Sequence, residues 1–366
     1  MFDSILKNEE RAVLSLRKLY RSYGYLPFKM SKFEEYELYS RNKDFLISDG
    51  IITFNDTDGK LLALKPDVTL SIVKNAVDQP GCKQKFCYDE NVYRISGSTH
   101  QYKELMQAGL ECIGDIDLYD ILEVVTLAAK SLSSLSDDYI LAISQPGILS
   151  AILDSVGVGG SARQRIISCF SEKNVHDLAS VCRDCGVDGE TSRILTELVG
   201  VYGDIEGAMS SIESLCAEKA PEAVTSLRAL TDLISDSDFA DRIRIDTSLV
   251  SDSDYYGGFI FKGFLSGVCE SVLTGGQYGK LLRRMGRRSD AVGFAIYLDR
   301  LEELDRSASG YDVDVLLLYS EDCDASAIAR KTAELTASGR SVSAQKAIPR
   351  KLRYRELIKL EGGCEK

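Results

Sequence analysis

The sequence predicts an α+β fold, and three observations lead to this prediction. Strand patterns joined by short polar turns occupy the first part of the chain, a wholly helical stretch follows, and strand patterns then return. The chain ends in a short segment that alternates strand and helix signals. We therefore expect a mixed core that is interrupted by helices and followed by a small α/β piece.

The first part of the chain mixes helix and strand signals. Apolar residues recur at helical spacing over residues 5–23, which predicts an amphipathic helix. Residues 46–66 predict two strands around an Asn-Asp-Thr-Asp-Gly turn, after which Asp67 and Thr69 open a helix. A second unit of two strands and a helix completes this part, at residues 85–95, 102–114 and 117–133.

The rest of the sequence predicts a helical insertion, a return to the core and a C-terminal segment. Residues 146–240 carry helical patterns separated by Gly, Asp and Ser, which predicts a helical insertion. Strand signals return in the segments DRIRIDTSLV, DYYGGFIFKGF, SGVCESVLTGG and AVGFAIYL. We therefore predict a core formed by residues 1–145 and 241–308, and a C-terminal α/β segment at residues 309–366.

The composition is that of an ordinary globular protein with an excess of acidic residues. The 366 residues are 44% hydrophobic and 27% charged. The 44 Lys and Arg against 56 Asp and Glu give a net charge of −12, which argues against broad binding to nucleic acid or anionic membranes. No run of about 18 apolar residues and no apolar leader segment occurs. We therefore predict a cytoplasmic protein without nucleic acid or membrane partners.

One cysteine pair has the spacing of a metal or redox motif. Cys182 and Cys185 form a Cys-x-x-Cys pattern, and His176 is the single further candidate ligand nearby. A structural zinc site needs four ligands, so the alternative of two small apolar residues on a helix is favoured. We therefore predict no metal site and no cofactor.

A polar stripe stands out in the strand predicted around residues 103–112. Gln107, Gly109 and Glu111 share one face of this strand because side chains alternate. A glycine in the middle of a strand often marks the close approach of a ligand, and a carboxylate beside an amide suits an amino group or an imidazole. The alternative is a solvated face of a half-exposed sheet.

Two other patterns are less specific. Tyr255 and Tyr256 precede Gly257 and an apolar strand, so they either wall a small-ligand pocket or pack in the core. The glycine pairs lack the spacing of a P-loop or a dinucleotide-binding turn, and neither histidine lies near a nucleophile motif. These patterns therefore predict neither a phosphate-binding loop nor a Ser-His or Cys-His hydrolase.

Six segments carry a resemblance to a known family. In chain order they are LALKPDVT, NVYRIS, YKELMQAGLECIG, SLVSDSDYYGGFIF, TGGQYGKL and GFAIYLDRL. Their order and context resemble the class II core of the histidyl-tRNA synthetases over most of the chain. The resemblance implies a class II aminoacyl-tRNA synthetase-like antiparallel sheet flanked by helices, with a helical insertion before the DYY segment.

The resemblance also implies a histidine pocket. By residue-by-residue matching, an acidic residue and a threonine hold the amino group, two positions of one strand face the amino acid, and an aromatic pair surrounds the imidazole. These implied histidine-binding residues are Asp67, Thr69, Gln107, Glu111, Tyr255 and Tyr256. Arg94 and Arg300 match arginines that contact ATP phosphates in the synthetases, which makes them candidate anion-binding residues.

Several positions depart from the synthetase pattern. The family has Arg-Gly-Leu before Asp-Tyr-Tyr, and that arginine stabilises the charge that develops in adenylate formation, whereas this chain has Ser251, Asp252 and Ser253. Tyr297 stands where a small residue is expected, and its ring would fill space that the family leaves for adenine. The C-terminal segment resembles a truncated anticodon-binding domain.

Histidine binding without activation is the pattern of synthetase paralogues that serve as regulatory subunits of ATP phosphoribosyltransferase. The resemblance to them implies a non-catalytic subunit that binds histidine and regulates a short-form catalytic subunit in the first step of histidine biosynthesis. It also implies a homodimer within a hetero-oligomer. The alternative is a divergent histidyl-tRNA synthetase, and a synthetase-like module with another partner or amino acid also stays open.

Overall fold

The structure, a computed structural model, describes most of the chain. The described residues are 8–43, 46, 50–95, 99–250, 257–301 and 311–360. The chain divides into two compact units, Met1–Glu303 and Leu304–Lys366. The separation of the longer unit into a core and an insertion stays a prediction.

A large sheet forms the centre of the first unit. Six adjacent strands in the middle of this sheet pair antiparallel with one another, whereas the strand on either side of this group pairs parallel with it. The expected α+β fold with an antiparallel sheet is thus confirmed. Within the described residues this sheet has nine strands, which are, in spatial order, β1 (Leu26–Pro27), β5 (Lys83–Ile95), β6 (Tyr102–Gly114), β12 (Asp290–Tyr297), β11 (Leu273–Gln277), β10 (Ile260–Leu265), β7 (Tyr139–Ser144), β9 (Ile243–Asp246) and β8 (Tyr202–Gly203).

One face of this sheet packs on two helices, α1 (Asn8–Ser22) and α4 (Leu118–Leu135). The ring of Tyr20 in α1 meets the ring of Phe294 edge to face, with centroids 5.9 Å apart. The Tyr20 hydroxyl lies 3.1 Å from the Ser131 hydroxyl of α4. Because this face buries apolar side chains, the polar side chains of the same strands lie on the other face.

A small antiparallel sheet comes in the chain before the helix that begins at Thr69, whose hydroxyl contacts the polar face of the large sheet. In spatial order its strands are β2 (Phe33–Glu35), β4 (Leu61–Leu64) and β3 (Thr53–Asn55), and the short helix α2 (Tyr36–Ser40) follows β2. Asp56 Oδ1 accepts hydrogen bonds from two backbone N–H groups of the turn between β3 and β4. The predicted strand, turn and strand are therefore present, with a shorter described first strand. The next helix, α3 (Thr69–Asn75), begins at Thr69, as expected.

The stretch between β7 and β9 is helical, as the sequence predicts, apart from the two-residue strand β8. Three of its helices begin at a side chain that accepts a backbone N–H of the first turn, namely Asn174, Asp188 and Asp204. In the described part of the chain, no helix is long and apolar enough to cross a membrane. The helices of this stretch are α5 (Gly147–Ser155), α6 (Gly160–Ser171), α7 (Val175–Asp184), α8 (Gly189–Leu198), α9 (Ile205–Cys216) and α10 (Pro221–Ser235).

The end of the chain forms the expected small α/β piece. Its parallel sheet has the spatial order β14-β13-β15, and a helix connects β13 to β14. The short helix α11 (Gly279–Arg284) belongs to the first unit and lies between β11 and β12 in the chain. The elements of the small piece are β13 (Val313–Tyr319), α12 (Ala325–Ala337), β14 (Val342–Gln345) and β15 (Tyr354–Leu360).

We expect the cap of α7 to stabilise the helical stretch. Asn174 Oδ1 accepts the backbone N–H of Asp177 at 3.1 Å. Asn174→Ala removes this acceptor and should lower the free energy of unfolding by about 1 kcal/mol, measured by urea denaturation. The control is Asn174→Ser, which keeps a neutral acceptor oxygen and adds no charge beside the Asp177 carboxylate, so its stability should stay closer to that of the unmodified protein. Equal stability of the alanine variant and the unmodified chain would contradict this role.

Candidate functional site

The candidate site lies on the polar face of the large sheet. Gln107, Gly109 and Glu111 of β6 point to this face. Gln107 is 3% exposed and Glu111 is 2% exposed, so the polar stripe is buried and is not the solvated face of the alternative interpretation. Its cross-strand neighbours are Glu90, Tyr88 and Phe86 on β5, and Tyr297, Ala295 and Gly293 on β12.

Two hydroxyl groups hold the carboxylate of Glu111. Thr69 Oγ1 donates a hydrogen bond to Glu111 Oε1 at 2.8 Å, and the Tyr278 hydroxyl donates one to Oε2. Thr69 is the first residue of α3 and Tyr278 directly follows β11. The Glu111 carboxylate therefore links the first residue of α3 and the residue after β11 to β6.

A glycine on the neighbouring strand leaves room for this carboxylate. A β-carbon at Gly293 would lie 1.8 Å from Glu111 Oε2, far inside any non-bonded contact distance. Gly293 is also the cross-strand partner of Glu111. Because glycine alone lacks this atom, position 293 must be glycine while Glu111 keeps its observed position.

Asp67 lies in a turn that is fixed against β5. Lys65, whose side chain is 1% exposed, places Nζ 2.6 Å from Glu90 Oε2. Arg94 Nε donates to the Pro66 carbonyl oxygen at 2.9 Å. Two side-chain contacts therefore position the residues directly before Asp67, which is itself 7% exposed.

The amide nitrogen of Gln107 lacks a hydrogen-bond acceptor. Nε2 is buried and, within the described residues, meets no partner. The carboxylate of its neighbour Glu90 pairs with Lys65 instead. A buried donor without an acceptor costs about 1–3 kcal/mol, so this nitrogen is suited to an acceptor that a ligand brings.

The guanidinium group of Arg300 contacts other residues of the chain. Its guanidinium carbon lies 4.4 Å from the centroid of the Tyr297 ring, and its Nη2 lies 2.7 Å from Glu270 Oε2. Its other terminal nitrogen donates to the Ser271 carbonyl oxygen. Tyr297 is the cross-strand neighbour of Gln107. A covered arginine and an aromatic ring therefore stand at one end of the polar stripe.

Two buried carboxyl groups dominate the electrostatics of the site. Burial raises the pKa of Glu111 to about 8, the two hydroxyl hydrogen bonds oppose this rise, and the charge of Asp67 adds to it. Burial also raises the pKa of Asp67, against the hydrogen bond from the Leu70 N–H and the charge of Arg94. The site therefore carries less negative charge at neutral pH than two exposed carboxylates would.

Part of the residue set predicted from the sequence comes together in the structure. Arg94 lies close enough to Asp67 to act on its pKa, whereas Arg300 stacks on Tyr297. Tyr255, Tyr256 and Ser251 lie outside the described residues. The predicted residues that β6, α3 and the preceding turn place on the polar face are Asp67, Thr69, Gln107 and Glu111.

The sequence reasoning missed three residues of the site. Tyr278 stands in the quoted TGGQYGKL segment, where its hydroxyl role has no local signal. Gly293 is a glycine in the middle of a strand, and this signal could have found it. Tyr88 is the cross-strand partner of Gly109, and the strand register that pairs them has no signal in the local sequence pattern.

The arrangement is chemically suited to a small zwitterion. Carboxyl oxygens lie at the Asp67 and Glu111 end, and an unused amide N–H lies at the Gln107 end. Four residues of strand separate the Cα atoms of Gln107 and Glu111 by about 13 Å, at about 3.3 Å per residue. An α-amino acid with a donor on its side chain matches this order of acceptors and donor.

Comparisons with known proteins agree with the fold. A family model described as histidyl-tRNA synthetase matches residues 3–301. The chain is similar to the ATP phosphoribosyltransferase regulatory subunit of Alkaliphilus metalliredigens, with 29% identity over 287 residues. That match covers 76% of this chain and 72% of the relative.

Solved structures share the architecture. An ATP phosphoribosyltransferase regulatory subunit/histidyl-tRNA synthetase from Bacillus halodurans has a TM-score of 0.75 and 22% identity, and the match covers 97% of this chain and 94% of that one. A chain of the ATP phosphoribosyl transferase (HisG:HisZ) complex from Thermotoga maritima has a TM-score of 0.62 and 20% identity, with 79% and 97% covered. At these identities the likeness establishes the fold.

We expect Glu111 to make the stability of the ligand-free protein depend on pH. An unfolded glutamate has a pKa near 4.3, so the folded state binds the extra proton between about pH 4.3 and 8. The contribution of the neutral Glu111 carboxyl group to the free energy of unfolding is fully present below the pKa of the unfolded state. It is lost as the pH rises through the pKa of the folded state. Glu111→Gln should therefore be more stable than the unmodified chain at pH 8.5, by about 1–3 kcal/mol, and similar at pH 5.

Thermal and urea unfolding at pH 5, 7 and 8.5 measure this difference. The control is Glu104→Gln, which changes an exposed glutamate on the same strand and should not alter the pH profile. Parallel pH profiles of Glu111→Gln and the unmodified chain would show that Glu111 is ionised in the folded protein at neutral pH.

Proposed function

The chain belongs to the histidyl-tRNA synthetase family, and from this premise we propose that it is a non-catalytic regulatory subunit of ATP phosphoribosyltransferase. It binds histidine, and it activates and feedback-regulates a short-form catalytic subunit in the first step of histidine biosynthesis. Curated relatives that are 24–29% identical carry the name of this regulatory subunit, which supports the proposal. A structural neighbour that is part of a HisG:HisZ complex supports the existence of a catalytic partner.

Histidine occupies the polar face in this proposal. Its ammonium group meets Asp67 and Thr69, an imidazole N–H donates to Glu111, and its carboxylate accepts from Gln107 Nε2. A carboxylate has about four acceptor positions, so Glu111 can accept the imidazole in addition to its two hydroxyl donors. Tyr255 and Tyr256 complete the pocket around the imidazole.

One observation carries the non-catalytic part of the proposal, namely that Tyr297 and Arg300 cover each other beside the amino-acid face. The Arg300 guanidinium stacks on the Tyr297 ring and pairs with Glu270. A nucleotide at this end would need both the space of the ring and the free cation. Ser251 further removes the positive charge that adenylate formation requires. Histidine is therefore bound without being activated.

The rival function is a divergent histidyl-tRNA synthetase. The family membership alone is compatible with both functions. The net charge of −12 opposes tRNA binding, and Ser251 opposes activation. A synthetase-like module that serves another partner or amino acid differs from our proposal in its partner, which the assembly experiment below identifies.

Regulation requires that histidine bind two states of a complex unequally. Coupling free energies between two sites are typically 1–3 kcal/mol, which corresponds to changes of about 5- to 150-fold in affinity or population. The proposed assembly is a homodimer of this chain within a hetero-oligomer with the catalytic subunit. Arg94, whose Nε is bound to the Pro66 carbonyl oxygen and whose charge acts on Asp67, is proposed to retain anion binding, as is Arg300 once its contacts rearrange.

We expect the purified chain to raise the rate of a purified short-form ATP phosphoribosyltransferase and to elute with it, and histidine to lower that rate.

Glu111→Ala removes the acceptor for the imidazole and should weaken histidine binding by about 2 kcal/mol, or about 30-fold. Calorimetric titration gives the affinity, and transferase assays give the matching shift in inhibition. Glu104→Ala, on the exposed end of the same strand, is the control.

Two results would contradict this function. A transferase that is fully active alone, and whose rate ignores the added chain, would remove the regulatory role even if histidine binds. An unchanged histidine affinity in a folded Glu111→Ala protein would place the ligand elsewhere.

We also expect the chain to form no histidyl-adenylate. Histidine-dependent exchange of pyrophosphate into ATP should stay at background, because the site lacks a cation at Ser251 and because Tyr297 covers Arg300. Ser251→Arg alone should restore almost nothing, since groups that act as a unit are not additive. Exchange at synthetase-like rates by the unmodified chain would favour the rival function.

A further inference from the structure

Tyr88 reaches across the centre of the proposed histidine pocket. It is the direct cross-strand partner of Gly109 and therefore shares the polar face with Gln107 and Glu111. A β-carbon at Gly109 would lie 2.6 Å from the Tyr88 hydroxyl oxygen. The space that the glycine leaves is therefore occupied by the end of the Tyr88 side chain.

The hydroxyl of Tyr88 lies among the polar groups of the site. Glu111, Asp67 and Tyr297 are close enough to affect its ionisation, and burial together with the first two charges raises the pKa of Tyr88 well above its usual value. The group therefore stays a neutral O–H donor. Within the described residues this hydroxyl makes no hydrogen bond and keeps some contact with solvent, whereas Tyr88 as a whole is 5% exposed.

Some polar groups of the pocket already have hydrogen-bond partners within the protein, and others do not. Both oxygens of Glu111 already accept hydroxyl groups, whereas Gln107 Nε2 is buried and unpaired. Residues two apart on a strand are separated by about 7 Å, so Gly109, with the Tyr88 hydroxyl above it, lies midway between Gln107 and Glu111. Two unused donors, one amide N–H and one phenolic O–H, therefore stand on the Gln107 half of the stripe and at its centre.

We infer that Tyr88 contacts the ligand and makes the pocket selective for ligands that carry a carboxylate. Its hydroxyl and Gln107 Nε2 donate hydrogen bonds to the carboxylate of the bound amino acid. The inference rests on the proposed histidine-binding function, which it deepens by assigning the group that separates the acid from its alcohol and amine analogues. A site that leaves two donors unpaired, one of them the buried Gln107 Nε2, binds an analogue without the matching acceptors less well.

The test is calorimetric titration of the full chain with histidine, histidinol and histamine, which share the imidazole and the amino group. Tyr88→Phe keeps the ring over Gly109 and removes the hydroxyl. We expect its histidine affinity to fall about 10- to 100-fold and its affinities for histidinol and histamine to stay within about twofold. Gln107→Leu should show the same selective loss.

The matched control is Tyr20→Phe, which removes a buried tyrosine hydroxyl on the opposite face of the sheet and should change none of the three affinities. An equal loss for all three ligands in Tyr88→Phe would assign the hydroxyl to folding of the pocket and overturn the inference, as would an unchanged histidine affinity. If the unmodified chain binds none of the three ligands, the proposed function fails, and this outcome is distinct from the other two.

Discussion

The burial of one carboxyl group in the middle of a sheet is the constraint on which the rest of the site depends. Glu111 is 2% exposed, so its oxygens need donors from the protein. Thr69 supplies one at the start of α3, and Tyr278 supplies the other after β11. Gly293 supplies the space. Because these residues come from separate parts of the chain, the carboxyl group can be accommodated only when four elements have reached their places.

The two faces of the large sheet carry different kinds of side chain. On one face, the ring of Tyr20 in α1 packs edge to face on Phe294 of β12, and its hydroxyl contacts Ser131 of α4. On the other, the same strands present small and polar residues that leave room for a ligand. At the end of this polar face the Arg300 guanidinium stacks on the Tyr297 ring and pairs with Glu270. In our proposal this contact closes the nucleotide end of the site, so that histidine is bound without being activated.

The sequence predicts local patterns well and contacts between distant segments poorly. The strands at 85–95 and 102–114, the helical stretch and the terminal α/β piece follow from periodicity, and the Gln107 to Glu111 stripe follows from alternation. Strand order does not follow from either. The pairing of Tyr88 with Gly109 and the approach of Tyr278 to Glu111, across 167 positions, depend on tertiary packing that no local pattern encodes. The predicted roles of Tyr255 and Tyr256 remain predictions.

The helical stretch leaves the sheet from β7 and returns in β9, and these two strands are parallel neighbours, with Ile143 opposite Ile245. Adjacent strands lie about 4.8 Å apart, so the two attachment points are almost side by side although about a hundred residues separate them. Parallel strands require a crossover connection, but the geometry sets no upper limit on its length. The spacing of β7 and β9 therefore does not limit the length of this stretch, and further helices can be accommodated in it without separating the two strands.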